Sequence, residues 1–187
     1  MQFHGLTELS GEPGIGKTRL SLFFSRDYNT LYICTKNVKL PFLDTTKRFL
    51  IMPTYYLREL IFLIKYKIKD IIDKENINLI ILDSLDHLLC YEKINQSLYK
   101  KIKDMIYVFK GLIYNYNIRI IFINNIYENK GIGWIHKVLG MNFFYFLNTR
   151  IVLIKICNEV FVKKTFPVDK KEKRNLVTKN DQTFLFY

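Results

Sequence analysis

The sequence predicts an α/β protein: a mostly parallel central sheet with helices on both faces, closed by a C-terminal antiparallel β-hairpin. Three observations lead there. Apolar runs of strand length alternate with segments of helical periodicity. Two of those runs, INLIILD (Ile77–Asp83) and IRIIFIN (Ile118–Asn124), are apolar without alternation, as strands buried on both faces are. After Gly140 the texture changes: TRIVLIKI (Thr149–Ile156) and EVFVKKTF (Glu159–Phe166) flank the turn-like pair Cys157-Asn158.

The elements follow in order. LTEL (Leu6–Leu9) is a short strand running into a glycine-rich loop, and Lys17–Arg26 is the helix leaving it. NTLYICT (Asn29–Thr35) is a β-rich strand, after which Pro41 and Pro53 punctuate the chain. Between Tyr55 and Lys74, Leu57, Leu60, Ile61, Ile64, Ile68, Ile71 and Ile72 recur at helical spacing with lysines between them. INLIILD is next, then a second amphipathic helix over about Lys93–Tyr114, then IRIIFIN. Asp169–Arg174 (DKKEKR) reads as a solvated charged loop, and TFLFY as an edge strand.

At 187 residues, 49% apolar and 25% charged, residues 1–187 suit a single globular domain. There is no repeat, no low-complexity linker and no signal-peptide pattern. The most apolar runs, Leu57–Lys65 and Met141–Leu147, are shorter than the roughly 18 to 20 residues of a membrane span, so no membrane partner is expected. The three cysteines (Cys34, Cys90, Cys157) are sparse and odd in number, which argues for a reducing compartment, cytosol or nucleus. His4, His87 and His136 do not cluster. The net charge of +12 favours polyanions, but alanine is absent while Ile, Lys, Asn, Tyr and Phe abound. That is the signature of AT-rich codons, and part of the lysine excess belongs to it.

GEPGIGKT (Gly11–Thr18) fits G-x-x-x-x-G-K-[ST] at every fixed position. In such a loop, built here of Gly11, Glu12, Pro13, Gly14, Ile15 and Gly16, the three glycines allow backbone N–H groups to turn toward phosphate oxygens. Lys17 reaches the β- and γ-phosphates, and Thr18 ligates Mg²⁺. The competing reading is a glycine turn that matches by chance; the strand before it and helix after it favour the phosphate loop. Asp83, closing LIILD, is the candidate to hold Mg²⁺ through its water shell. Asp83 and Ser84 also suit a helix N-cap, and Asp86 is a weaker candidate for the metal. Asn124-Asn125 ends the next strand, where Asn125 is placed to sense a γ-phosphate; a turn asparagine is the alternative.

With these residues in hand, the chain resembles the ATPase core of the RecA recombinase superfamily in its eukaryotic and archaeal branch. LTELSGEPGIGKTRLSL is similar to that branch's "ITE-x-x-GE-x-x-x-GKTQ". LYICT resembles its second strand, INLIILDSL its metal-binding strand, and IIFINNI its "N-Q-V" strand end. VLGMNFFYFLNTRIVLIK (Val138–Lys155) is similar to its "LG-x-x-W-x-x-x-x-x-TR" segment. These landmarks keep the family order and span nearly the whole chain.

The resemblance implies a RecA-like P-loop NTPase core with ATP and Mg²⁺ as ligands, acting in homologous recombination repair in the nucleus. It points to a non-catalytic paralog more than to the recombinase. Lys36 stands where the family has the glutamate that polarises the attacking water, so slow or no hydrolysis is expected. Asn125 stands where the family usually has glutamine. With only five residues ahead of Leu6, no N-terminal helical domain is expected. The implied partners are another RecA-family recombinase or paralog subunit and single-stranded DNA.

The loop IYENKGIGWIHK, with Lys130, Trp134, His136 and Lys137, occupies the family's DNA-contacting place; a plain surface loop with Trp134 packed inward competes. By resemblance Arg150 turns toward an interface or the nucleotide; a solvated edge arginine is the alternative. Two other functions stay open: an active DNA-stimulated ATPase or small kinase, and a degenerate interaction module.

Overall fold

A computed structural model of the chain describes residues 5–37, 47–129, 133–135, 141–156, 159–166, 173–179 and 183–186. The first half runs β1 (Leu6–Gly11), α1 (Lys17–Ser25), β2 (Thr30–Cys34), β3 (Phe49–Pro53), α2 (Leu57–Tyr66), α3 (Ile68–Glu75) and β4 (Leu79–Asp83). Then come α4 (Leu85–Leu89), α5 (Gln96–Tyr116), β5 (Arg119–Asn125), β6 (Tyr127–Asn129) and β7 (Gly133–Ile135). A 3₁₀ turn (Met141–Phe146) leads into β8 (Thr149–Ile156), β9 (Glu159–Phe166), β10 (Lys173–Lys179) and β11 (Thr183–Phe186).

One 9-stranded sheet has the order β11-β10-β9-β8-β1-β5-β4-β2-β3. The strands from β8 to β3 are mutually parallel, while β9, β10 and β11 add on antiparallel. The protein is therefore α/β with a mostly parallel sheet and a C-terminal hairpin of β8 and β9. Period two sorts each strand between two cores. Leu79 and Ile81 face α1 with Leu20, Leu22 and Phe24. Ile80 and Leu82 face the other way, with Leu60, Ile64, Ile68 and Phe109 from α2, α3 and α5. Each fully buried side chain of this kind contributes about 1.5–3 kcal/mol. Phe122 of β5 sits between Phe109 (ring centroids 5.2 Å) and Phe143 (6.4 Å), which ties the 3₁₀ turn to the second core.

Local chemistry sets the ends. Asn95 caps α5 by accepting the Leu98 N–H at 2.9 Å. Asn76 and Asn117 close α3 and α5 in the left-handed region (φ 51° each). The Glu59 carboxylate accepts the Tyr55 and Tyr56 N–H groups at the start of α2.

Several expectations need correction. The single helix over Tyr55–Lys74 is two helices, α2 and α3, which break at Lys67 (φ −121°). The apolar stripe runs through that break because both helices cover the same core. Phe49–Pro53 forms β3, an edge strand that Pro53 disguises; it is the last residue of the strand. Leu85–Leu89 adds a short α4. Lys173 and Arg174, assigned to a charged loop, begin β10; the rest of that stretch, 169–172, lies outside the described residues, as does the turn Cys157-Asn158. Met141–Leu147 turns Phe143 and Leu147 into the core and leaves Tyr145 exposed. Among the described residues no helix is long and apolar enough to cross a membrane, and Cys34 and Cys90 are free.

Candidate functional site

In a parallel sheet the carboxyl ends of the strands share one edge. Register brings Gly11 of β1 beside Asn125 of β5, and Asp83 of β4 beside Cys34 of β2 and Ile123 of β5. A cleft of about 310 Å³ opens there, lined among others by Lys17, Thr18, Arg19, Lys36, Asp83 and Asn125.

The loop from Gly11 to Gly16 forms its floor. Gly11 is buried and ends β1; a Cβ there would stand 2.9 Å from the Leu153 carbonyl of β8, so close strand approach demands glycine. Gly14 and Gly16 have φ of +79° and +102°, a region that side chains strain. Glu12, Pro13 and Gly14 are exposed and Ile15 is half-buried. Gly16 precedes α1, whose first turn carries no acidic side chain and no side-chain cap. The N–H groups of that turn and the positive end of the helix dipole thus stay available to an anion.

Lys17 is 7% exposed. Its ammonium donates to the carbonyls of Gly11 (2.9 Å) and Glu12 (2.7 Å), folding back over the loop. Burial lowers its pKa to about 8; the neighbouring Asp86 opposes that, Lys36 adds to it, and Asp83 and Glu12 oppose it again. A buried cation held only by carbonyl oxygens is one that a phosphate can attract away.

Asp83 is fully buried. Its Oδ2 accepts hydrogen bonds from Thr18 Oγ1 (2.6 Å) and Tyr32 OH (2.5 Å). Its Oδ1 is buried with no hydrogen-bond partner. The capping alternative does not hold: the Asp83 side chain points to α1 and β2, and Ser84, at the N-cap of α4, makes no side-chain cap bond. Thr35 fixes the strand ends, accepting the Ser84 N–H at 2.8 Å and donating toward the Asp83 carbonyl at 3.0 Å.

A hard divalent cation fits this set. The Thr18 hydroxyl proton is committed to Asp83, which leaves the oxygen lone pairs for a cation, and the orphaned Oδ1 needs a counter-charge or an ordered water. Among the described residues no group of three or more His, Cys, Asp or Glu forms a metal cage. Any cation here would therefore take most of its ligands from water or from a bound anion.

Asn125 lines the cleft, and its side-chain amide donates to Asp86. Asp86 stands behind Asn125 and acts on the site through its field on Lys17. Asn124 points to the opposite face, donating to Glu8 Oε1 at 2.9 Å. Arg150 is not a solvated edge residue, and it is not among the residues lining the cleft. Its Nε donates to Glu8 Oε2 at 2.9 Å, and its side chain is 15% exposed. Tyr127–Asn129 and Gly133–Ile135 pair as a small antiparallel ribbon, β6 and β7. The side chains proposed to touch DNA (Lys130, Trp134, His136, Lys137) lie outside what is described.

Sequence reasoning missed Tyr32, Thr35, Arg19 and Glu8. Tyr32 carried one readable signal, a phenol in a fully buried strand, which needs a hydrogen-bond partner. Known protein-family models give no match to this chain, and none of the curated proteins searched matches it.

Proposed function

We propose that the chain binds ATP with Mg²⁺ in this cleft, as a RecA-like P-loop protein. One observation carries the reading: Lys17, Thr18 and the half-satisfied Asp83 converge beside two left-handed glycines at the carboxyl edge of a parallel sheet. The loop N–H groups would receive the phosphates. Lys17 would exchange its two carbonyl partners for phosphate oxygens. Thr18 and Asp83 would hold the metal, which supplies charge neutralisation between the phosphates. Arg19 and Lys36 add positive charge to the lining, which suits a triphosphate.

The finer reading rests on the resemblance. It makes the chain a recombinase paralog that works in the nucleus, joins another RecA-family subunit and assists homologous recombination on single-stranded DNA. Lys36 brings an ammonium to the cleft where a base would need a carboxylate, which supports slow or no hydrolysis. ATP then acts mainly as a structural ligand, adding about 2.7 kcal/mol of stability at a hundredfold excess over Kd. The second reading, an active DNA-stimulated ATPase, draws on Asp86, whose Oδ1 is buried without a partner next to Asn125.

Single turnover separates the two. Protein in excess is mixed with labelled ATP and Mg²⁺, and the bound nucleotide is recovered, with Lys17→Ala as control. Uncut ATP is expected. Bound ADP would favour the active ATPase, and no bound nucleotide would remove the site.

A further inference from the structure

We infer that Tyr32 is a positioning residue for the metal-holding carboxylate: its phenol sets the orientation of Asp83 and so tunes how well the cleft takes Mg²⁺ with nucleotide. The inference rests on the reading of the cleft given above and concerns a residue that no phosphate-loop pattern includes.

The geometry is specific. Tyr32 lies in the middle of β2, is fully buried, and pairs with Ile81; Asp83, two residues further along β4, lies on the same sheet face. Its ring packs against Phe49 of β3 (centroids 5.7 Å, interplanar angle 31°), so the hydroxyl has little freedom to look elsewhere. That hydroxyl donates to Asp83 Oδ2 at 2.5 Å, the same oxygen that Thr18 uses at 2.6 Å.

Two donors on one oxygen have a consequence for the other. Oδ2 has its lone pairs filled, the carboxylate cannot rotate without breaking both bonds, and Oδ1 is left as the free acceptor. A carboxylate held this way presents one oxygen to a metal's water shell at no reorganisation cost. Without the phenol, Thr18 alone would hold Asp83. Thr18 is itself to be shared with the cation, so the carboxylate could swing to satisfy whichever oxygen was bare. Tyr32 thus frees Thr18 to ligate without losing the orientation of Asp83.

Tyr32→Phe keeps the ring and deletes the bond. The measurement is ATP affinity by calorimetry in Mg²⁺ and in EDTA, with thermal melts in EDTA as a check on folding. In wild type, Mg²⁺ is expected to raise ATP affinity. In Y32F that Mg²⁺-dependent gain is expected to fall about tenfold, with EDTA affinity unchanged. An equal Mg²⁺ gain in both proteins, with only a lower melting temperature in Y32F, would overturn the inference and leave Tyr32 a packing residue. ATP binding in wild type with no Mg²⁺ gain would overturn the metal assignment and this inference together. No ATP binding at all would overturn the nucleotide reading as well. If Y32F does not fold, 3-fluorotyrosine placed at position 32 keeps ring and hydroxyl. Its ¹⁹F resonance is expected to move when Mg²⁺ joins the ATP-loaded protein, and a fixed resonance would overturn the inference.

Discussion

Two carboxylates lie fully buried in the same sheet, and they are treated in opposite ways. Glu8, in the middle of β1, has an oxygen on Arg150 and the other on Asn124, each at 2.9 Å. Its charge is matched by a cation that is itself largely buried. Asp83, at the end of β4, is held by two neutral hydroxyls on one oxygen, and its other oxygen has no partner. A buried charge left half-satisfied costs stability. Glu8 is satisfied as a structural carboxylate is, whereas Asp83 keeps one oxygen that the proposed metal could use. Lys17 of the glycine loop belongs with Asp83: it is buried, carries a lowered pKa, and is held by carbonyls.

Mutations should split along that line. The largest stability effect is expected from Glu8→Ala, which removes the carboxylate paired with the largely buried Arg150 guanidinium: a loss of about 3 kcal/mol in denaturant unfolding. Equal stability of the variant and the wild type would make the Glu8–Arg150 pair incidental. Next comes Lys17→Ala, with the reverse pattern. ATP affinity is expected to fall about a hundredfold or more, from the loss of charge-assisted bonds worth some 1.5–3 kcal/mol each. The unliganded protein should be no less stable in thermal melts, because a desolvated cation has been removed. A large stability loss here would place Lys17 with Glu8 as a structural charge. Asp83→Asn should be milder: unliganded stability within about 1 kcal/mol of wild type, with the Mg²⁺-dependent gain in ATP affinity gone. The smallest effect on ATP binding is expected from Asn124→Asp. It puts a second carboxylate beside Glu8 and lowers stability by about 1–2 kcal/mol without altering ATP affinity, since Asn124 faces away from the cleft.

The parts of the site that follow from local chemistry were readable before folding. Gly14, Gly16, Lys17 and Thr18 are fixed by what a tight loop ahead of a helix requires, and Asp83 by its place at the end of an unalternated strand. Tyr32, Glu8, Asn124 and Arg150 were not readable as partners. Their pairings span 51, 116 and 142 residues along the chain and arise only from strand order, which sequence periodicity does not encode. The same holds for β3. All five of its residues are apolar although the strand is only partly buried, so it shows no alternation, and Pro53 at its end reads as a break. Lys67 hides the junction of α2 and α3 because both helices bury the same stripe, so the apolar period survives the bend in the chain.

Asp83 and Thr18 are proposed to hold a metal beside a nucleotide's phosphates. Crystals grown with Mn²⁺ and a non-hydrolysable ATP analogue, measured at the manganese edge, test it directly. An anomalous peak is expected about 2.2 Å from Thr18 Oγ1. Asp83 Oδ1 should face it through a water, and Lys17 should have moved from the Gly11 and Glu12 carbonyls to phosphate oxygens. A metal peak away from Thr18, or analogue density outside the glycine loop with Lys17 still on its carbonyls, would contradict it.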